Sequence, residues 1–185
     1  MHTLRKCRAW SILLAALWVL MPATMSAQQV AEYELKAAFL FNFLQFVEWP
    51  ADSFAAADSP IVLGVLGADP FGQSLDQLAQ DAAVNGRRIV VRRYERSEDI
   101  DVCHLLFVSL GNAGRLKAVI AALNGRAILT VGDADGFLEQ GGMIQFVTQD
   151  NRIRLRINLD VAKAARLTLS SKLLRPAQIV TTARR

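Results

Sequence analysis

The sequence offers few side chains that could act as a nucleophile or a general base. After residue 27 it contains one histidine, His104, and one cysteine, Cys103, which are neighbours in the apolar run 102–108. A Ser-His-acid triad would have to use His104, but the chain lacks the Gly-x-Ser-x-Gly turn that presents the serine. Adjacent strand residues point to opposite faces, so Cys103 cannot use His104 as its base. We therefore interpret His104 as a structural imidazole. A hydrolase that uses His104 is the function hypothesis that we rank lowest.

Bound metals and cofactors are disfavoured for the same reason. A zinc site of the usual type needs at least three cysteine or histidine ligands, and residues 28–185 supply two. The segment Asp133-Ala134-Asp135-Gly136 is similar to the start of a calcium loop, but the later acidic ligands of such a loop are missing. The early glycines do not match the dinucleotide-binding fingerprint. We expect no metal, no cofactor and no catalytic residue.

Polar residues lie at or after the ends of two predicted strands and could line a crevice: Ser109, Asn112, Asp133 and Asp135. The carboxyl ends of neighbouring parallel strands share one edge of a sheet, and ligands of α/β proteins bind at such edges. A small-ligand sensory protein is therefore one function hypothesis.

Three arginines, Arg152, Arg154 and Arg156, alternate with apolar residues in the predicted strand 152–158. The alternation predicts one apolar face and one face with three guanidinium groups. A solvated strand that uses positive charge to discourage unwanted pairing is the explanation we rank first. The other is a partner-binding surface, because the planar arginine fork binds carboxylates in two places and arginine is enriched at interface hot spots.

Strands and helices alternate along the chain and must position these residues. Strands are predicted at 61–66, 88–93, 102–109 and 127–131, and helices at 32–48, 74–83 and 114–123. Helical segments between strands imply right-handed crossovers and a largely parallel sheet with helices on both faces. We therefore predict a single α/β domain with three layers.

The pattern changes near the C-terminus. Two strands, 143–148 and 152–158, flank Gln149-Asp150-Asn151 and predict a C-terminal β-hairpin appended to the sheet. Asp160 is predicted to cap a short helix, and Ser170 or Ser171 to begin a last one before Pro176.

The N-terminus has the three parts of a secretory signal. Arg5, Lys6 and Arg8 precede an apolar stretch at 9–21, and small residues follow up to Ala27. About 13 apolar residues are too few to span the ~30 Å hydrocarbon layer of a bilayer. We predict a cleaved signal peptide at 1–27, with the cut after Ala27 favoured over Ser26, and a periplasmic domain at 28–185; an uncleaved anchor is the alternative.

Removing the predicted signal peptide, the leader, lowers the net charge of the chain. The whole chain has a net charge of +4, whereas residues 28–185 carry 18 basic and 17 acidic residues. The basic character thus belongs in large part to the leader, and a nucleic-acid partner is disfavoured. Cys103 would be the one remaining thiol, so the exported domain could form no internal disulfide.

Short segments in this order resemble the YfiR family of exported regulators. They are Lys36–Phe43, Phe46–Pro50, Gly67–Gly72, Cys103–Val108, Leu129–Asp133, Gly141–Ile144, Ile157–Asn158 and Ser170–Leu174. Each segment is weak alone, but together they are spread over nearly the whole length of residues 28–185.

The resemblance implies a periplasmic protein without catalytic activity, which binds the periplasmic sensor domain of an inner-membrane diguanylate cyclase. In the protein that gives the family its name, binding represses cyclic-di-GMP synthesis, and an outer-membrane lipoprotein relieves the repression by sequestration. The resemblance also implies a homodimer. Internal disulfides occur in that protein, and this chain departs from the pattern because only Cys103 follows the leader.

Overall fold

The computed structural model describes residues 22–181, with side chains from residue 28 onward. The helices of this range are α1 (Pro22–Phe46), α2 (Gln73–Gln80), α3 (Ala113–Leu123), α4 (Leu159–Ala164) and α5 (Ser171–Leu174). Its strands are β1 (Val47–Glu48), β2 (Ile61–Gly67), β3 (Ala83–Val84), β4 (Arg87–Tyr94), β5 (Leu105–Ser109), β6 (Leu129–Gly132), β7 (Ile144–Gln149), β8 (Arg152–Asn158), β9 (Thr168–Leu169) and β10 (Gln178–Val180).

Eight strands form one sheet in the order β10-β8-β7-β6-β5-β2-β4-β3. The strands from β4 through β2, β5 and β6 to β7 run parallel to their neighbours. β8 pairs antiparallel with β7 as the second arm of a hairpin, and β10 returns parallel to β8. The predicted single-domain α/β fold, with a mostly parallel sheet and a C-terminal hairpin, is confirmed.

Helices lie on both faces of this sheet, as the three-layer prediction requires. On the first face, α1, α2, α4 and α5 pack on a core that takes side chains from most of the central strands. On the second face, α3 and the loop from Asp133 to Gly142 pack against β2, β4 and β5. The second core takes no buried residue from β7 or β8 among residues 22–181. Within residues 22–181, helices therefore cover only part of the second face and leave β7 and β8 uncovered there.

α1 is the buried core helix that its composition predicts. Ala37, Leu40, Phe43 and Leu44 are all at most 1% exposed, and the Phe43 ring stacks on Phe146 of β7 at 5.8 Å between ring centroids. Full burial of each large apolar side chain stabilises the fold by roughly 1.5–3 kcal/mol. The packing therefore fixes α1 across the hairpin strands.

Several element boundaries differ from the prediction. α1 is helical from Pro22, the first described residue, rather than from residue 32, and residues 23–31 hold no helix breaker. It ends at Phe46 because β1 pairs with the distant β9. The cap of α4 is Asn158, whose side chain accepts from the Val161 amide at 3.2 Å, so the assignment to Asp160 was wrong.

The predicted leader falls mostly outside the described residues. Its basic part and its apolar stretch, residues 1–21, are not described, so export, the cleavage site and the alternative anchor stay predictions. Within residues 22–181, no helix is both long and apolar enough to cross a membrane.

Candidate functional site

The four residues predicted to line a crevice lie at one edge of the sheet. Ser109 is the last residue of β5, and Asn112 caps α3 by accepting from the Arg115 amide at 3.0 Å. Asp133 and Asp135 follow the end of β6, the parallel neighbour of β5. The structure brings them to a common edge, but Asn112 serves the helix end. Their role as ligand-lining groups stays a prediction.

Asp133 belongs to a polar group that we name the Lys36 cluster: Glu32, Tyr33, Lys36, Asp133 and Thr148. Lys36 Nζ lies 2.7 Å from Asp133 Oδ2 and 2.8 Å from Glu32 Oε1. The Tyr33 hydroxyl donates to the same Asp133 oxygen at 2.9 Å, and the Thr148 hydroxyl donates to Glu32 at 2.9 Å. The cluster ties the N-terminal half of α1 to the end of β6 and to β7.

Lys36 is the most buried charge of this cluster. Its side chain is 4% exposed, against 21% for Asp133 and 29% for Glu32. The ammonium also lies 4.3 Å from the centroid of the Tyr33 ring. Removing a cation from water costs several kcal/mol, and this cost is offset only by well-placed carboxylates. The fold around Lys36 therefore depends on both acids.

The pKa shifts in the cluster agree with these assignments. The hydrogen bond from Lys36 holds the pKa of Glu32 below its ordinary value. Burial raises the pKa of Tyr33, and the negative charge of Asp133 raises it further. At neutral pH, Glu32 is thus a charged acceptor and Tyr33 a neutral donor.

Our sequence reasoning missed Lys36 and Tyr33 as partners of Asp133. A usable signal was present, because Lys36 is the single basic residue between Pro22 and Phe46 and precedes the apolar run 37–41. A lysine in a helix that is buried this deeply needs an anionic partner. The sequence could not show which acid this is, since Asp133 lies 97 positions away.

The three predicted arginines lie together on the second face of the sheet, and with Gln145 they form what we name the arginine face. Gln145 is paired across the hairpin with Arg156, whose guanidinium donates to Gln145 Oε1 at 3.0 Å. Arg156 also lies 3.4 Å from Glu139 at the margin of this face. Arg152 and Arg154 are exposed. The face is cationic and lies where the second core ends.

Most other arginines of the described chain are engaged within the protein. Arg93, for example, lies 2.7 Å from Asp69 and 2.7 Å from Asp76, and its hydrogen bond to Asp76 holds the pKa of that carboxyl below its ordinary value. Within residues 28–181, Arg152 and Arg154 make no such side-chain contact. Two guanidinium groups of the arginine face are therefore available to a partner.

His104 is held by backbone groups on both ring nitrogens. Nδ1 accepts from the Val62 amide at 3.0 Å, and Nε2 lies 3.2 Å from the Ser53 carbonyl, to which its proton points. The ring stacks on Phe54 at 4.5 Å between centroids. Burial lowers its pKa, so the imidazole is neutral at neutral pH. This geometry supports the structural interpretation, with His104 fixing the segment 49–54 against the sheet.

Cys103 is a buried thiol and the one cysteine of residues 22–181. Its Sγ lies 3.1 Å from the Leu105 carbonyl oxygen. Burial raises the pKa of this thiol to about 12, so almost no thiolate forms near neutral pH. Cys103 therefore fills space in the second core.

One family of known proteins matches the chain. Its sequence profile, described as YfiR/HmsC-like, matches residues 33–178, which is well over half of the chain. No curated protein matches the sequence. The matched range includes Tyr33, Lys36 and Asp133 as well as the whole arginine face.

Proposed function

Because the chain belongs to the YfiR/HmsC-like family, we propose that it is a periplasmic protein that binds the periplasmic sensor of an inner-membrane diguanylate cyclase and represses it. Regulation of the cyclic-di-GMP pathway, outside the cytoplasm and without catalysis, is the function of this family. Our proposal adds two points to this family function: the sensor domain is the binding partner, and binding represses the cyclase. The match over residues 33–178 is the observation that carries it.

The mechanism we propose is a population shift in the cyclase. The bound protein holds the sensor in a conformation that keeps the cytoplasmic catalytic domains inactive. Its effect on the cyclase cannot exceed the ratio of its affinities for the two sensor conformations, and each 1.4 kcal/mol of difference gives about a tenfold change. No chemistry by this chain is required, which fits its sparse set of reactive side chains.

The arginine face supports this proposal as a contact surface. It is cationic, and two of its guanidinium groups, those of Arg152 and Arg154, have no ion pair or hydrogen bond within residues 28–181 and could bind carboxylates of a partner. Its place on the uncovered part of the sheet leaves it accessible to a partner. The family resemblance further supports two finer proposals: the protein forms a homodimer, and an outer-membrane lipoprotein relieves repression by sequestering it.

The small-ligand hypothesis has less support. Two of its four lining residues serve the fold, since Asn112 caps α3 and Asp133 binds Lys36 and Tyr33. Ser109 and Asp135 remain, and two side chains do not define a binding site. We therefore propose no second function.

Deletion of the gene is expected to raise the cellular concentration of cyclic-di-GMP and to increase biofilm, because the cyclase loses its inhibitor. The nucleotide is measured by mass spectrometry in the deletion strain, the parent and a complemented strain. A strain that also lacks the partner cyclase is the control and should show no rise. Unchanged nucleotide in the single deletion, with an intact cyclase, would contradict the proposal.

A further inference from the structure

We propose that the first half of β8 binds an extended acidic segment of the partner protein as an added β-strand. Partner identity rests on the proposed function, whereas the binding edge itself is a property of this fold. The inference combines three observations: an open strand edge, two guanidinium groups beside it that make no ion pair or hydrogen bond within residues 28–181, and a groove at the other face of the same strand whose lining includes apolar side chains.

The open edge lies at residues 152–155. β10 pairs with β8 only from Arg156 to Asn158, and the other side of β8 pairs with β7 along its whole length. Within residues 22–181, no strand pairs with Arg152–Leu155 on the β10 side. An unpaired strand edge presents amide and carbonyl groups that can template another strand.

The hairpin fixes which backbone groups point outward. Asp150 and Asn151 both have positive φ, 49° and 58°, as in a two-residue type I′ turn. In such a hairpin the flanking residues, Gln149 and Arg152, exchange hydrogen bonds, and the alternation continues along the ladder. The Asn158 amide donates to the Met143 carbonyl at 2.8 Å, as this alternation requires, because Asn158 lies an even number of residues after Arg152. The N–H and C=O of Ile153 therefore point away from β7.

Charge determines what the added strand must carry on the second face of the sheet. Arg152 and Arg154 are two residues apart on one strand, so their Cα atoms are separated by about 7 Å. Residues of a neighbouring strand share the face of the residues they oppose and lie about 5 Å away. Carboxylates at alternate positions of the added strand would therefore reach both guanidinium groups.

On the first face of the sheet, the added strand should carry apolar residues at the positions between the carboxylates. Ile153 points to that face and lines a groove of about 400 Å³ together with Leu35 and Phe39 of α1. The rim of this groove is polar and includes Gln28, Glu32, Thr148, Asn151 and Arg152, so its large apolar side chains are limited to Leu35, Phe39 and Ile153. Leu35 is 51% exposed although it is a large apolar side chain. The segment that fits this edge thus alternates acidic with apolar residues.

The competing explanation is that these arginines only prevent unwanted strand pairing. In that case the edge stays unpaired in the working protein, and a proline at Ile153 would change no binding. In our proposal the Ile153 amide donates to the partner, so proline removes a required hydrogen bond. Because this amide points away from β7, the substitution leaves the hairpin hydrogen bonds in place.

The test is a titration of the ¹⁵N-labelled protein with a synthetic peptide, followed by amide chemical shifts. The peptide alternates glutamate and valine over about eight residues, a common strand length, and is blocked at both ends. We expect saturable shifts of the Ile153 and Leu155 amides and slower hydrogen exchange at Ile153. The Ile153→Pro variant should lose binding. The Arg152→Glu/Arg154→Glu variant, which removes no backbone group, should bind at least about tenfold more weakly.

Two controls make the result decisive. Arg88→Glu changes an exposed arginine of β4, at the other end of the sheet, and should bind as the unchanged protein does. A peptide with lysine in place of glutamate should not bind. No shifts up to about 5 mM glutamate peptide, shifts that avoid Ile153, equal binding of both peptides, or pairing of the edge with a second copy of the chain would overturn the inference.

The same variants separate this inference from the proposed function. If deletion raises cyclic-di-GMP but the Arg152→Glu/Arg154→Glu strain stays at the parent level, the docking edge is wrong and the function stands. If deletion changes nothing, the function is wrong, and the peptide titration still decides whether the edge binds acidic strands.

Discussion

Replacing Asp133 with alanine is expected to lower the free energy of unfolding by about 3 kcal/mol. The variant leaves Lys36 buried with one carboxylate instead of two, and it leaves the Tyr33 hydroxyl without its acceptor. Breaking a buried ion pair from one side typically costs 3–5 kcal/mol, and we take the low end because Glu32 still contacts Lys36 at 2.8 Å. Urea unfolding, followed by circular dichroism, measures the change.

Asp135→Ala is the matched control for this variant. Asp135 has the same residue type in the same loop, but it is exposed. Its removal should change the free energy of unfolding by less than about 0.5 kcal/mol. Equal losses for the two variants would show that Asp133 does not anchor α1.

The stability of the cluster also depends on pH with a definite sign. The pKa of Glu32 is lowered from 4.5 in the folded state by the hydrogen bond from Lys36, so its contribution is present above pH 4.5 and is lost as the pH falls through the folded value. Replacing Glu32 with glutamine should therefore flatten the acid limb of the stability curve. An unchanged acid limb would argue against the Lys36 contact.

Replacing Phe137 with alanine is expected to lower the free energy of unfolding by about 4 kcal/mol. The Phe137 side chain is 0% exposed and anchors the loop that carries Asp133 and Glu139. Deleting a buried ring loses its transfer free energy and leaves a cavity. Leu78→Ala, at a site that is 42% exposed, is the control and should cost under about 1 kcal/mol.

A double-mutant cycle with Gly142 tests the packing directly. A Cβ at Gly142 would collide with the Phe137 ring, so Gly142→Ala should lower the free energy of unfolding by about 2 kcal/mol in the unchanged protein. In the Phe137→Ala background the ring is absent, and the same substitution should cost less than about 0.5 kcal/mol. Additive losses would contradict this contact.

The main elements could be predicted because their signals are local. The apolar runs of β2 and β5, the alternation of β8 and the turn at Asp150-Asn151 all lie within a few residues of sequence. Parallel order and the hairpin then follow from the lengths of the connections. The fold class was therefore predictable from sequence.

The short strands could not be predicted in the same way. β1 has two residues and exists because Val47 pairs with Leu169, which is far away in sequence. β10 has three residues and is defined by its pairing with β8. Such strands carry no periodic signal, since their stability comes from partners that only the folded chain supplies.

Only the part of the candidate site that lies within one short segment of sequence could be predicted. The arginine face follows from strict alternation in one strand, and the structure adds that the first half of this strand is an open edge. The Lys36 cluster joins residues 97 positions apart, so sequence could suggest that Lys36 needs an acid but not that the acid is Asp133.

The most direct test of the account is to measure cyclic-di-GMP in the deletion strain after complementation with two forms of the gene. One form encodes the full chain, and the other lacks residues 2–27. Immunoblots of cell fractions confirm that both products accumulate and show where. We predict that the full chain restores the low parental concentration and is found in the periplasm, whereas the shortened chain stays in the cytoplasm and restores nothing. Full restoration by the cytoplasmic form would contradict the account.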